Sequence, residues 1–282
     1  MNRMSSAAPE DERPVTPLIA AAWTLAVGIV TAVVLQVLTE VRGGSLEDLL
    51  TMALGLTISY VTVSAIFSRV HAPTRSLADV AALRGCRWAD GLASICVGAA
   101  IALAVIWLDA RLERWRPTDA SELASIARMF DNSTPLRRAK IAASIVVLLP
   151  VVTEIFFRGL LLGGLLRTMR PWGAILVSSV VFSLTADSPR QIVFRLLAGS
   201  VFGVVRVATG SSVTATMAAM VYSLMPAIPL LRGQSIEVSL TMHPVLRVAI
   251  SAGAAVALVV FSRRVSRPQV SEVDAAHLDV IA

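Results

Sequence analysis

The sequence has few of the residues that build metal centres and disulfide frameworks. Its 282 residues include two cysteines, Cys86 and Cys96, and three histidines, His71, His243 and His277. Because no Cys-x-x-Cys spacing occurs, neither a disulfide framework nor a zinc knuckle is indicated. The histidines also fall outside the long apolar segments, so a zinc site inside those segments would lack histidine ligands. A Ser/His/Asp triad, a phosphate-binding loop and a dinucleotide fingerprint are absent as well, and we expect no metal or other cofactor.

Lysine and charged residues are also scarce. Lys140 is the only lysine among 25 basic residues, which is typical of a GC-rich bacterial genome, and charged residues make up 16% of the chain. The net charge is +6, but no soluble basic domain carries it, which argues against nucleic acid as a partner. We expect the arginines to set membrane orientation and to meet anionic headgroups, with membrane lipids as partners.

Long apolar runs dominate the remaining sequence. Hydrophobic residues make up 56% of the chain, against about 45–50% in soluble domains. Apolar runs near 20 residues can cross a hydrocarbon layer of about 30 Å, and a strand there could not satisfy its backbone. The sequence therefore predicts an all-α, multi-pass protein of the plasma (inner) membrane with about eight transmembrane helices. The predicted spans are residues 18–41, 49–67, 92–108, 141–166, 171–185, 192–207, 212–231 and 245–261.

The runs divide the chain into three parts: a disordered tail at 1–17, a helical transmembrane domain at 18–262 with its core at 141–231, and a second tail at 263–282. The first run is too long for a signal-peptide core, so we interpret it as an uncleaved span. Residues 121–130 have the apolar spacing of a helix on the membrane surface.

Arginines between the second and third runs and after the eighth predict that both regions face the cytoplasm. With eight spans the N-terminus then faces the cytoplasm too. Segment 109–140 would lie outside, although it is itself rich in basic residues. The cytoplasmic arginines are Arg69, Arg75, Arg84, Arg87, Arg263, Arg264 and Arg267.

The fourth run contains an acid and a base, Glu154 and Arg158, in an otherwise apolar helix that we expect to break near Pro150. A charge at membrane depth costs about 2.5–3.5 kcal/mol on insertion scales, so such a residue is a functional-site candidate. Four residues of spacing place both side chains on one helix face. We expect the pair to face the bundle interior.

This segment resembles the CPBP family, the intramembrane CAAX-prenyl-protease and bacteriocin-processing group. Residues 150–159 resemble the family's first motif, E-E-x-x-x-R. Residues 170–176 and 181–184 resemble the approach to its second motif, F-x-x-x-H, and residues 197–203 and 209–211 resemble the approach to its third, H-x-x-x-N. The resemblance implies a CPBP-like helical bundle.

The resemblance also marks where this chain departs from the family's catalytic pattern. Thr153 stands where the family has the glutamate taken as general base, and the two histidine positions and the asparagine position hold Ala186, Ala219 and Ser223. Only Glu154 and Arg158 of the motif residues remain. Activating water needs a base, which threonine cannot supply, so we expect no competent catalytic residue.

Several readings of the polar residues stay open. Glu154 and Arg158 are either a remnant of a catalytic site or a buried ion pair that holds helices in register. Arg195 either lines a polar interior, joins Glu154 in a charge network, or extends to the interface. Residues 187–190 predict a turn with an aspartate cap. Small residues in the sixth run, Gly199, Ser200 and Gly203, favour close helix packing.

Three functions compete at this point. The first is a non-catalytic scaffold or accessory subunit of a hetero-oligomeric membrane complex. Degenerate family members of GC-rich actinobacteria look like accessory subunits of Mce-type lipid importers, so the resemblance implies lipid-transporter subunits as partners. The second is a CAAX-type endopeptidase with a site rewired around Glu154, and the third is a small membrane transporter, for which no internal repeat is visible.

Overall fold

The computed structural model describes residues 13–42, 48–115, 117, 134–231 and 244–266, and every regular element within them is a helix. The predicted all-α class is confirmed. The helices are α1 (Pro17–Arg42), α2 (Leu49–His71), α3 (Leu77–Val80), α4 (Trp88–Trp115), α5 (Pro135–Leu165), α6 (Pro171–Ser183), α7 (Pro189–Thr209), α8 (Ser212–Leu231) and α9 (Pro244–Ser266).

Six of these helices, α1, α2, α4, α5, α7 and α9, are long and apolar enough to cross a membrane. Two shorter apolar helices, α6 and α8, coincide with the fifth and seventh predicted runs. Helix α4 extends beyond both of its predicted ends, and α5 begins before its predicted start. Polar residues at these ends form ion pairs and helix caps, which a prediction from apolar residues alone does not detect. The result is a polytopic bundle, as predicted.

Ion pairs and hydrogen bonds fix the directions of the helices. Arg190 at the start of α7 pairs with Asp109 and Glu113 near the end of α4, so these two helices run antiparallel. Arg264 near the end of α9 lies 2.8 Å from Asp90 at the start of α4. The arginines predicted to be cytoplasmic therefore meet, where the structure describes them, at the end of the bundle where α4 begins. The orientation of this end in the membrane stays a prediction.

Asp48 ties the starts of α2 and α5 together at the opposite end. Its carboxylate caps α2 by accepting hydrogen bonds from the Thr51 amide and hydroxyl, and it lies 2.8 Å from Arg137. Burial raises the pKa of the Asp48 carboxyl, but the Thr51 hydrogen bonds and the Arg137 charge outweigh it, so the pKa lies below its ordinary value. The contact is largely exposed, so its main effect is to set the register of α2 and α5.

The segment before α1 is packed, which differs from the tail predicted for residues 1–17. Val15 is 2% exposed. Its carbonyl accepts a hydrogen bond from Thr168, and the Arg13 amide donates to the His71 carbonyl. Val15 is held because it fills the space above Gly164, where a Cβ atom would come within 2.5 Å of its side chain. We call residues 13–16 the N-terminal strap.

The predicted second tail also begins too early, because α9 continues to Ser266, held by the Arg264–Asp90 pair and by a hydrogen bond from Trp172 to Ser266. The predicted surface helix at 121–130 and residues 1–12 lie outside the described residues.

Among the described glycines, Gly98 on α4 has the shortest distance from a built Cβ atom to a neighbouring helix. A Cβ atom built there would lie 2.2 Å from the carbonyl oxygen of Ala218 on α8, whereas a Cβ atom on Gly28 of α1 would meet nothing within 4 Å. The backbones of α4 and α8 are therefore in direct contact, the arrangement that small residues permit in membranes.

We predict that Gly98→Ala destabilises the bundle, because the new methyl group must push α4 away from α8. Forcing extra volume into a packed contact costs about 1–3 kcal/mol. Gly28→Ala is the matched control, which we expect to be neutral or slightly stabilising. Unfolding in detergent micelles, followed by circular dichroism, measures both. Equal stability of the two variants would refute the close contact.

Candidate functional site

Helix α5 carries the candidate site and does not break at Pro150. It widens into two π-helical stretches, Ser144–Leu148 and Ile155–Leu161, where backbone hydrogen bonds span five residues. The Leu149 amide donates to the Ser144 carbonyl in the first stretch. A π turn of this kind lets the helix continue where proline would otherwise clash with the preceding turn. The expectation of a break was wrong for that reason.

Glu154 and Arg158 both lie inside the bundle, as predicted. Glu154 is 1% exposed and Arg158 is not exposed at all. The Arg158 Nε atom lies 3.5 Å from Glu154 Oε2, which is an ion pair but a long contact for a hydrogen bond. Among the described residues, neither Glu154 Oε2 nor any Arg158 nitrogen has a hydrogen-bond partner. The pair is therefore stabilised by charge more than by hydrogen bonding.

Aromatic rings surround the Arg158 guanidinium. Its central carbon lies 4.8 Å from the ring centre of Phe182 on α6 and 6.0 Å from that of Phe157. These are cation–π distances, and such contacts strengthen when the cation is out of water. The rings thus supply part of the stabilisation that hydrogen bonds do not.

Gly199 on α7 is what lets the guanidinium fit. A Cβ atom at this position would lie 3.1 Å from Arg158 Nη2 and 3.1 Å from a Phe182 ring carbon. One turn later, a Cβ atom on Gly203 would lie 2.9 Å from Ile175 of α6. The glycines bring α7 close to α6 and α5, as the small residues of the sixth run predict.

Arg195 does not pair with Glu154. Its guanidinium donates to the carbonyl and the hydroxyl of Thr185, at the end of α6, and lies 6.0 Å from the Phe182 ring centre. Phe182 therefore has two guanidinium groups near it, those of Arg158 and Arg195. Of the open readings, the charge network with Glu154 is wrong, and Arg195 instead donates to the Thr185 carbonyl just after α6.

Arg206 and the α6–α7 turn supply further polar contacts around α7. Arg206, also on α7, donates from Nε to the Ser212 hydroxyl, which in turn donates to the Ala81 carbonyl. In the α6–α7 turn, Ser188 caps α7 by accepting from the Gln191 amide, and Asp187 is exposed. The predicted aspartate cap is therefore wrong, because the residue directly before the helix supplies the cap.

The four positions that depart from the family pattern lie on contacting elements. Thr153 is next to Glu154 on α5, Ala186 lies in the α6–α7 turn, and Ala219 and Ser223 are one turn apart on α8, which packs against α5 and α7. The Thr153 hydroxyl donates to the Leu149 carbonyl of its own helix at 2.8 Å. The fold thus brings three of these positions to the α5–α8 region with the charged pair.

Ala219 belongs to a small apolar cluster. It is 5% exposed and packs with Ala198 and Phe202 of α7 and with Ala215 and Ala218 of α8. Side-chain packing between α7 and α8 occupies the place where the resembled family has its third-motif histidine.

Sequence reasoning missed Tyr60 on α2. Its ring packs edge-on against Phe156 and Phe157, which lie between Glu154 and Arg158 in the chain, with ring centres 5.6 and 6.0 Å apart. The available signal was its rarity, since the chain has two tyrosines and this one falls within an apolar run. Within the described ranges, no three His, Cys, Asp or Glu side chains group as metal ligands.

Comparison with known proteins places the similarity on this same region. Residues 136–225 match the family model described as type II CAAX prenyl endopeptidase Rce1-like. The matched stretch runs from α5 into α8 and contains the charged pair and all four departing positions. No curated protein and no solved structure gives a significant match. The match supports the CPBP resemblance for this part of the chain, which is CAAX-protease-like.

We predict that Glu154→Gln destabilises the protein, because it leaves the Arg158 charge buried without a counter-charge. Breaking a buried pair in this way costs about 3–5 kcal/mol. The double variant Glu154→Gln with Arg158→Met should be more stable than Glu154→Gln alone, since no unpaired charge remains. The free energies of unfolding of the wild type and of both variants are measured in detergent micelles. If Glu154→Gln alone is as stable as the wild type, the pair does not hold the helices.

Proposed function

We propose that the protein is a non-catalytic, CAAX-protease-like integral membrane protein that serves as a scaffold or accessory subunit of a membrane complex. One observation carries the proposal. At the position where the resembled family places its general base, this chain has Thr153, whose hydroxyl is bonded to its own helix. A threonine so engaged does not activate water for peptide hydrolysis.

The second step concerns the remaining acid. Glu154 is fully buried, and its Oε2 atom lies 3.5 Å from Arg158 Nε. The acid that remains therefore has a structural role as the counter-charge of a buried guanidinium, which would be left unpaired without it. The apolar cluster around Ala219 further supports a structural role for this region, because side-chain packing fills the third-motif position.

The third step concerns what the bundle still offers. Its helices pack closely at Gly199 and Gly98. The described residues outside the helices form short connections and the N-terminal strap. A partner surface would then be formed by membrane-embedded helices, where van der Waals packing dominates association. A lipid importer of the Mce type is our first candidate for the complex, by analogy with the degenerate relatives that this chain resembles.

A CAAX-type endopeptidase is the second candidate, favoured by the family match over residues 136–225. It would require Glu154 to act as base in a rewired site. The two proposals make opposite predictions for cleavage, and Glu154→Gln separates them because it changes one atom and keeps the side-chain shape.

We predict that neither the purified wild type nor Glu154→Gln cleaves a peptide that ends in a prenylated cysteine followed by three residues. We expect the same result for a peptide that carries a leader segment. Product formation is followed by mass spectrometry after reconstitution in lipid nanodiscs. Cleavage by the wild type that is lost in an equally folded Glu154→Gln variant would reverse the assignment and favour the endopeptidase.

We also predict that gentle extraction from native membranes yields a heteromeric particle heavier than the 29.9 kDa chain. Native mass spectrometry gives the stoichiometry, and peptide sequencing identifies the partners. Substrate-binding or permease subunits of a lipid importer are expected among them. A monodisperse particle containing this chain alone would contradict the accessory-subunit role.

A further inference from the structure

We propose that His71 is a pH-sensitive latch, which in its neutral form fastens helix α1 to α2 and which protonation opens. His71 is the last residue of α2 and is buried where the N-terminal strap, α1 and α2 meet. The role lies outside the Glu154–Arg158 site and does not depend on the proposed function.

The hydrogen bonds fix the tautomer of the imidazole. The Trp23 indole nitrogen, which can only donate, lies 2.9 Å from His71 Nε2, so Nε2 must carry a lone pair. The Arg13 carbonyl oxygen, which can only accept, lies 3.2 Å from His71 Nδ1, so Nδ1 must carry the proton. Both contacts are satisfied by one neutral form of the ring.

A second proton on the ring can enter only at Nε2. The protonated nitrogen would then face the Trp23 N–H, and two donors cannot share a hydrogen bond. The Nδ1 contact to Arg13 and the stacking on Phe67, with ring centres 4.6 Å apart, are compatible with either form. Protonation therefore breaks the α1–α2 link and leaves the strap contact in place.

The charged groups near His71 are mostly basic. Arg13 of the strap and Arg167 after α5 line the same small cavity as His71, and no carboxylate is among the residues that line it. Arg69 on α2 and Arg75 in the following turn add positive charge nearby in the chain, and the neighbouring carboxylate, Asp79, is bonded to Ser76.

Helix α1 is the element that such a latch would free. It has the smallest buried fraction of the six long helices and packs against α2 and α6. The Trp23–His71 hydrogen bond adds a polar, directional contact to the apolar packing of α1 on α2. Histidine side chains in general change charge between pH 5 and 8, so the test covers this range.

The test follows the indole N–H signal of Trp23 by NMR in protein labelled with 15N-tryptophan. The chain has five tryptophans, and the signal missing from Trp23→Phe assigns the one of interest. We expect this signal to shift, and its exchange with water to accelerate, as the pH falls from 8 to 5. In His71→Gln, which cannot titrate, the Trp23 signal should stay constant over this range, while His243→Gln should behave as the wild type.

Two results would overturn the latch. One is a wild-type Trp23 signal that does not change between pH 8 and 5, a measurement that needs no variant to fold. The other is a pH response that persists unchanged in folded His71→Gln, which would assign the titration to another group.

Discussion

A carboxylate and a guanidinium with no access to water constrain the centre of this bundle. Arg158 is the largest fully buried side chain of the described residues, and only Glu154 lies near enough to neutralise it. Removing both charges from water is costly, and removing one partner alone costs more. The neighbours of the pair follow from this constraint: Gly199 gives the guanidinium room, and Phe182 gives it a ring face. The contacts that α6 and α7 make around the guanidinium are thereby tied to one ion pair.

The path of α5 depends on the same region. Backbone hydrogen bonds of the π type, between residues i and i+5, occur on both sides of the Pro150–Glu154 turn. The side chains after Glu154 are therefore rotated about the helix axis relative to their positions in a regular α-helix. Such π turns are frequent at functional sites. Here the second stretch contains Phe156, Phe157 and Arg158, and it turns the rings toward Tyr60 and Phe182 while the guanidinium stays near Glu154. A regular helix would not present these groups in the same directions.

Hydropathy alone predicted the helical class and the order of the helices, because each apolar run must satisfy its backbone within itself in lipid. It also placed Glu154 and Arg158 in the interior, since a charge inside an apolar run avoids lipid. It could not predict the π turns, which depend on one extra residue per turn and leave no apolar pattern. The Ser188 cap is a local signal, a serine three residues before Gln191, which hydropathy does not detect. Nor could hydropathy predict that Arg195 would bond Thr185 or that Val15 would pack on Gly164. These depend on which elements become neighbours, and sequence spacing does not encode that.

The contrast between the charged pair and the other motif positions has a physical explanation. An alanine at position 219 leaves no unpaired charge and adds to an apolar cluster between α7 and α8, so a packed protein tolerates it. Glu154 and Arg158 are different, because a change at either one leaves the other buried and uncompensated. A pair of this kind is lost only if both members change together. Under the proposed function, this coupling explains why Glu154 and Arg158 are present without hydrolysis, and their presence alone does not show catalysis.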